Sequence, residues 1–218
     1  MDTPTITLVR HGESQQNVGQ FDVQRDGDFR VQLTETGKAQ AAALCLPSGI
    51  FTTDRSSVIY CSPYTRTRQT LAEMAGPALS SLDVFEDPRL REVEHGYYDY
   101  EQQTAQRERH GWFYYRFRGG ESPADCYDRT CTFLESMWRR VGRRENCKHV
   151  LIVSHGLTMR CFLMRFLHLS VEQFEDLANP PNCGVIQLIK SPTDKDGFER
   201  LNGGRWLVGG NGFGWRTG

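Results

Sequence analysis

Short apolar runs alternate with helical stretches along this chain, and that alternation most limits what it can fold into. Runs rich in Val, Ile or Leu, bounded by polar residues or Gly and Pro, fall at Thr5–Val9, Ser57–Cys61, His149–Ser154 and Gly184–Ile189. A weaker run lies near Leu82–Phe85. Helical periodicity falls between them, over Thr36–Leu46, Pro63–Met74, Ala124–Val141 and Leu157–His168. Strands that alternate with helices predict an α/β fold, a three-layer sandwich whose central sheet is mostly parallel and covered by helices on both faces. No repeat or linker splits the 218 residues, so residues 1–218 read as one domain. Residues 97–121, dense in aromatics and arginines, read either as a lid insertion over a site or as a helical pair packing an aromatic face on the core. The glycine-rich tail from Gly197 reads as loop, because its glycines do not join a strand to a helix as a dinucleotide loop requires.

Open α/β sheets bind ligands at the carboxyl ends of their parallel strands. Here the first strand ends in Arg10-His11-Gly12 and the long one near residue 150 ends in Ser154-His155-Gly156. The second ends in Ser62-Pro63, with Ser62 placed to cap a helix, Pro63 at its first position and Arg66 in its first turn. Parallel strands put these ends on one edge, so two imidazoles and two guanidiniums meet at helix N-termini that already favour an anion. Charges at one strand end would be an ordinary solvated turn; three coincident ends are not. Two guanidiniums clamp a phosphoryl group, a neutral imidazole is a competent nucleophile near pH 7, and a protonated second imidazole stabilises charge on the transferring group. An acid for the leaving alkoxide is offered by Glu92 or Glu94 in DPRLREVEHG.

The formal net charge of −1 argues against a dedicated nucleic-acid binder, so any anion site is local. Seven cysteines, at 45, 61, 126, 131, 147, 161 and 183, are scattered without a C-x-x-C pair, and read as reduced thiols packed as small hydrophobes rather than as disulfides or zinc ligands. No secretory leader and no bilayer-spanning apolar run are visible, which predicts a cytoplasmic protein with no membrane partner.

The motifs LVRHGES..N, CSPYTRTRQT, RLRE...G and VSHG, in that order from Leu8 to Gly156, resemble the histidine phosphatase superfamily, also called phosphoglycerate-mutase-like. The resemblance implies that His11 is phosphorylated during turnover and that Arg10, Arg66 and His155 form the phosphate pocket. It also selects Glu92 over Glu94 as proton donor, adds Asn17 as a phosphate contact, and requires no metal or other cofactor. Gly12 and Gly156 complete the two histidine turns as substrate-binding positions.

That pocket serves a phosphatase or a mutase. True mutases of the family carry tryptophan where Gln16 stands and E-R-H-Y where this chain reads Glu92-Val93-Glu94-His95. The segment GGESPADCYDR resembles instead the G-E-S-x-x-D segment of broad-specificity phosphatases in the superfamily. The reading favoured is therefore a phosphomonoester hydrolase acting on a phosphorylated small molecule or phosphoprotein. The alternatives are a 2,3-bisphosphoglycerate-dependent phosphoglycerate mutase, kept open by Arg107, Arg109, Arg116 and Arg118, and a non-catalytic relative that binds phosphorylated ligands. Natural substrate and oligomeric state are not legible.

Overall fold

The computed structural model describes residues 3–44, 56–96 and 100–216. Seven strands, β1 (Thr5–Arg10), β2 (Ser57–Cys61), β3 (Val84–Glu86), β4 (His149–Ser154), β5 (Val185–Lys190), β6 (Phe198–Arg200) and β7 (Trp206–Gly209), form one sheet in the order β3-β2-β4-β1-β5-β7-β6. The helices are α1 (Val23–Asp26), α2 (Glu35–Ala43), α3 (Thr65–Ala75), α4 (Tyr100–His110), α5 (Pro123–Gly142), α6 (Gly156–Leu167) and α7 (Val171–Asp176). The end of the predicted helix at Cys45 and Leu46 lies outside the described residues.

The expected α/β sandwich is present, and its sheet is mixed. β3, β2, β4 and β1 pair in parallel, whereas β5, β7 and β6 run antiparallel. Side chains alternate across the sheet, as the period of a strand demands. Ile6, Leu8, Val58, Tyr60, Val150 and Ile152 enter a core shared with Phe133 and Met137 of α5 and Cys161 and Phe162 of α6. Val9, Ile59, Cys61, Leu151 and Val153 face the other way, against Ala41 of α2 and Leu71 and Met74 of α3. Burial on both faces explains why these strands read as continuous apolar runs.

The tail corrects the loop reading. Phe198–Arg200 and Trp206–Gly209 form an antiparallel pair that extends the sheet beyond β5, with Leu207 and Val208 fully buried. A Cβ at Gly209 would collide with the Gly197 carbonyl and the Phe198 ring, so glycine here permits close backbone approach. In residues 97–121 the described part holds one helix, α4, and Phe113 and Phe117 beyond it are buried in the α5–α6 core; residues 97–99 lie outside the described residues.

Register fixes the site. Arg10 pairs with Ser154 and Cys61 with Val153. The chain then leaves the sheet with the His11 N–H donating to the Ser154 carbonyl and the Ser62 N–H to the Val153 carbonyl, both at 3.0 Å. His11, Ser62 and His155 are thereby the first residues past three adjacent strand ends.

Candidate active site

The helices divide into two kinds. α2, α5 and α7 are capped by side chains, Thr34 accepting the Gly37 N–H at 3.0 Å, and Ser122 and Ser170 each completing a capping box. The two helices that follow the site turns have no side-chain N-cap bond. Ser62 and Pro63 are not the helix start predicted for them: α3 begins at Thr65 with Tyr64 at its cap. The Ser62 hydroxyl oxygen instead lies 2.8 Å from Nε2 of His155. At α6 the cap position is His155 itself, and the helix amides are satisfied from elsewhere. Glu92 accepts the Leu157 N–H at 3.4 Å and the Thr158 N–H at 3.2 Å, with the Thr158 hydroxyl and its neighbour Val93 N–H as further donors at 3.2 and 3.0 Å. A carboxylate at a helix N-terminus complements the dipole, and it releases the His155 side chain from capping.

His11 and His155 are 3% and 0% exposed, with ring centroids 5.3 Å apart in an edge arrangement. Nδ1 of His11 sits 2.7 Å from the carbonyl of Gly12. A carbonyl only accepts, so Nδ1 carries the proton and Nε2 the lone pair. Gly12 is required there: its N–H donates to Thr70 Oγ1 at 3.0 Å, and a Cβ would strike the Gly37 carbonyl of α2. Gly156 is equally constrained, its missing Cβ leaving room for the Asn179 side chain.

Burial, then the charge of Arg66, pushes both histidines well below the usual imidazole range, with Arg10 adding to the effect. Both rings are neutral in the protein alone, so the expected protonated second imidazole requires a bound anion to charge it. Arg66 is 2% exposed. Its Nη1 donates to the Asp28 carbonyl at 2.9 Å and to Oδ1 at 2.7 Å, and its Nη2 reaches Oδ2 at 3.2 Å. Arg10 donates from Nη1 to the Pro180 carbonyl at 2.5 Å.

Three buried side-chain nitrogens at this edge have no hydrogen-bond partner among the described residues: Nε of Arg10, Nε of Arg66 and Nδ1 of His155. Buried polar groups are normally paired, and these three come from the three converging strand ends. Asn17 is exposed, and its Oδ1 accepts from the Ser14 N–H at 3.1 Å, the Ser14 hydroxyl at 3.0 Å and Asn182 Nδ2 at 3.0 Å, so only its own amide N–H groups remain for a ligand. Glu94 is exposed and lines a cleft of about 750 Å³ together with Gln16, Asp28, Phe29, His95 and Gln103.

Residues 6–202 match the histidine phosphatase superfamily (branch 1). The chain belongs to that superfamily. It is 42% identical over 199 residues to a phosphoglycerate mutase-like protein of Arabidopsis thaliana, covering 83% of this chain and 63% of that relative. The chain thus spans less than two thirds of that protein's length. Phosphoserine phosphatase 1 of Hydrogenobacter thermophilus is 32% identical over 179 residues, covering 78% of this chain and 79% of the relative. Among solved structures, mycobacterial glucosyl-3-phosphoglycerate phosphatase superposes with a TM-score of 0.67 at 25% identity, over 85% of this chain and 89% of that one.

Several residues around this candidate site carried no sequence signal. Asp28 lies on a three-residue 3₁₀ turn between α1 and α2 with no periodicity to mark it. The 179–182 loop wraps the first histidine turn from the far end of the chain: Pro180 holds Arg10, and Asn182 Nδ2 donates to the His11 carbonyl at 3.3 Å. The G-E-S-x-x-D segment proves to be scaffolding. Ser122 and Asp125 cap α5, while Glu121 pairs with Arg91 and, at 3.1 Å, with Arg129, and its N–H meets the Glu94 carbonyl at 2.9 Å. That brace fixes the loop carrying Glu92. No described helix is long and apolar enough to cross a membrane.

Proposed function

We propose that this chain is a phosphomonoester hydrolase working through a phosphohistidine on His11. The observation that carries the reading is the set of three buried nitrogens, on Arg10, Arg66 and His155, that have no partner among the described residues, beside a histidine whose Nδ1 is bonded to the Gly12 carbonyl, leaving the Nε2 lone pair to attack. One phosphoryl dianion satisfies all three. With the Ser62 hydroxyl donating to Nε2 of His155, Nδ1 bears the proton and becomes a donor to a phosphate oxygen. Asp28 takes the Nη edge of Arg66 end-on, leaving the Nε edge for the ligand.

Nε2 of His11 attacks phosphorus, the ester P–O bond breaks, and the departing alkoxide takes a proton from Glu92. Glu92, now a carboxylate, removes a proton from water as that water attacks phosphorus; the P–N bond breaks, inorganic phosphate leaves, and both groups are restored. Nδ1 of His11 keeps its proton throughout and donates it to the Gly12 carbonyl. Burial keeps His11 neutral well into mildly acidic conditions, and the leaving alkoxide needs an acid that holds a proton, so activity is expected to peak on the acidic side of neutrality. The names of the relatives support phosphatase chemistry, since one is a phosphoserine phosphatase and another acts on glucosyl-3-phosphoglycerate.

The test compares leaving groups. Glu92→Gln should cost about 10²–10⁴-fold on alkyl phosphates and far less on p-nitrophenyl phosphate, whose phenolate departs unaided; Glu94→Gln should be nearly silent on both. Equal slowing of both substrates by Glu92→Gln would reduce Glu92 to a helix cap.

A further inference from the structure

The loop before β5 closes on the first histidine turn from a distant part of the chain, and its hydrogen bonds converge on residues 10 to 17. It ends in a four-residue turn, Pro181 to Gly184, closed by the Gly184 N–H donating to the Pro181 carbonyl at 2.8 Å. Cys183, third in that turn, has a φ of 55°, a left-handed position that favours glycine or asparagine. A residue with a Cβ stays there only where its surroundings over-determine it, and such positions gather at functional sites. Here the conformation sends the Cys183 N–H to the His11 carbonyl at 3.2 Å, while the Gly184 carbonyl accepts the Arg10 N–H at 3.0 Å. The Val185 N–H donates to Asn211 Oδ1 at 2.8 Å and the Ala178 N–H to the Gly214 carbonyl at 2.9 Å, so the loop is tied down at both ends. It is a fixed support, not a lid.

Asn182, second in the turn, is half-buried. Its Nδ2 lies 3.3 Å from the His11 carbonyl and 3.0 Å from Oδ1 of Asn17. Backbone groups fix which way round each amide sits. The His11 carbonyl only accepts, so the NH₂ end of Asn182 faces it. The Ser14 N–H only donates, at 3.1 Å, so the oxygen of Asn17 faces Ser14. With the Ser14 hydroxyl at 3.0 Å, Asn17 Oδ1 takes three donors, and both its lone pairs are used. The amide is planar, so pinning its oxygen also sets where its two N–H groups point.

The two Ser14 bonds are local. They lie within one turn, which the Asn17 N–H also closes by donating to the Ser14 carbonyl at 2.9 Å. Asn182 comes from 165 residues away and ties that turn to the backbone of His11.

We propose that Asn182 is a positioning residue of this site: anchored on the His11 carbonyl, it aims the amide N–H groups of Asn17 at the phosphoryl group. The inference rests on the hydrolase reading, with Asn17 as a phosphate contact. Asn182 then acts on the reaction through Asn17.

A double-mutant cycle tests it. kcat/KM on p-nitrophenyl phosphate and the Kd of inorganic phosphate are measured for the full chain, for Asn17→Ala, for Asn182→Ala and for both together, with urea midpoints beside them. Asn17→Ala should cost about 10–100-fold in kcat/KM, as loss of a hydrogen bond to a charged group does. Asn182→Ala should cost about fivefold and weaken inorganic phosphate by a similar factor, yet cost less than about twofold when Asn17 is already alanine. Asn182→Asp keeps the shape of the side chain without its donor, so it should lose at least as much as Asn182→Ala, and it takes that variant's place in the cycle should Asn182→Ala fail to fold. An equal loss from Asn182→Ala with or without Asn17, or an unchanged rate in Asn182→Asp, would overturn the assignment and leave the hydrolase reading standing. A silent Asn17→Ala would overturn it as well, by removing the contact that Asn182 serves. No turnover of any phosphomonoester by the unaltered chain would sink the hydrolase reading and this inference with it.

Discussion

Two histidine turns of similar make-up, Arg10-His11-Gly12 and Ser154-His155-Gly156, leave neighbouring parallel strands, yet they are wired in opposite ways. His11 uses Nδ1 on the carbonyl of its own neighbour, a short local bond that fixes the tautomer and frees Nε2. His155 uses Nε2 on Ser62, the residue after another strand, and its Nδ1 has no partner among the described residues. Burial and Arg66 hold both rings neutral. On the proposed reading, strand position brings each imidazole to the site, and the ring nitrogen bonded to the protein divides attack from stabilisation.

The sharpest way to break that comparison is to remove each ring in turn. His11→Ala should cut kcat by about 10⁴-fold or more, as loss of a covalent nucleophile does. His155→Ala should cost about 10²–10³-fold, the range for one preorganised donor. Steady-state rates that fell equally in both, or further in the second, would reverse the division.

Arg66 and its partner come next. Arg66→Ala should cost about 10²–10³-fold in kcat/KM. Asp28→Asn removes only the charge that orients the guanidinium, a charge-assisted bond worth about 1.5–3 kcal/mol, hence about 10–100-fold. A faster enzyme on Asp28→Asn would mean that the carboxylate competes with phosphate instead of aiming Arg66.

Ser62→Ala is a smaller perturbation of the same comparison. Losing one neutral hydrogen bond to His155 should cost about 1 kcal/mol, roughly fivefold in rate, and leave His11 phosphorylation intact. An unchanged rate would show that Ser62 does not set the orientation of His155.

How much of this was legible in the chain varies with the kind of contact. Arg10, His11 and His155 could be found because apolar runs end abruptly at them, and Arg66 because it lies in the first turn of the helix after such a run; parallel strands must deliver their ends to one edge. Glu92 was distinguishable from Glu94 only through the resemblance to the superfamily; in the structure Glu92 accepts the Leu157 and Thr158 N–H groups, a tertiary contact that sequence does not show. Asp28 and the 179–182 loop were invisible, since each reaches the site through tertiary packing of an aperiodic segment. The tail misled because glycine signals loops by composition, whereas Gly209 is demanded by the close approach of Gly197 and Phe198.

A separate expected effect concerns stability. The folded-state pKa values of His11 and His155 are depressed below their unfolded value near 6.5. The stability these groups contribute is complete above that value. As pH falls below it the unfolded chain binds protons the folded chain refuses, so stability drops by up to about 1.4 kcal/mol per pH unit for each ring. Urea midpoints measured at pH 7.5 and pH 5 should show the loss, and the doubly substituted His11→Asn, His155→Asn chain should show a flatter profile. A profile as steep in the double variant would place the acid sensitivity elsewhere.

The central claim is that His11, and not His155, carries the phosphoryl group, and acid-free trapping tests it most directly. The full chain, mixed briefly with a labelled phosphomonoester and quenched in alkali, should yield a peptide labelled at Nε2 of His11, a label that His155→Ala retains and His11→Ala abolishes. Label on residue 155, or label that survives His11→Ala, would contradict the account.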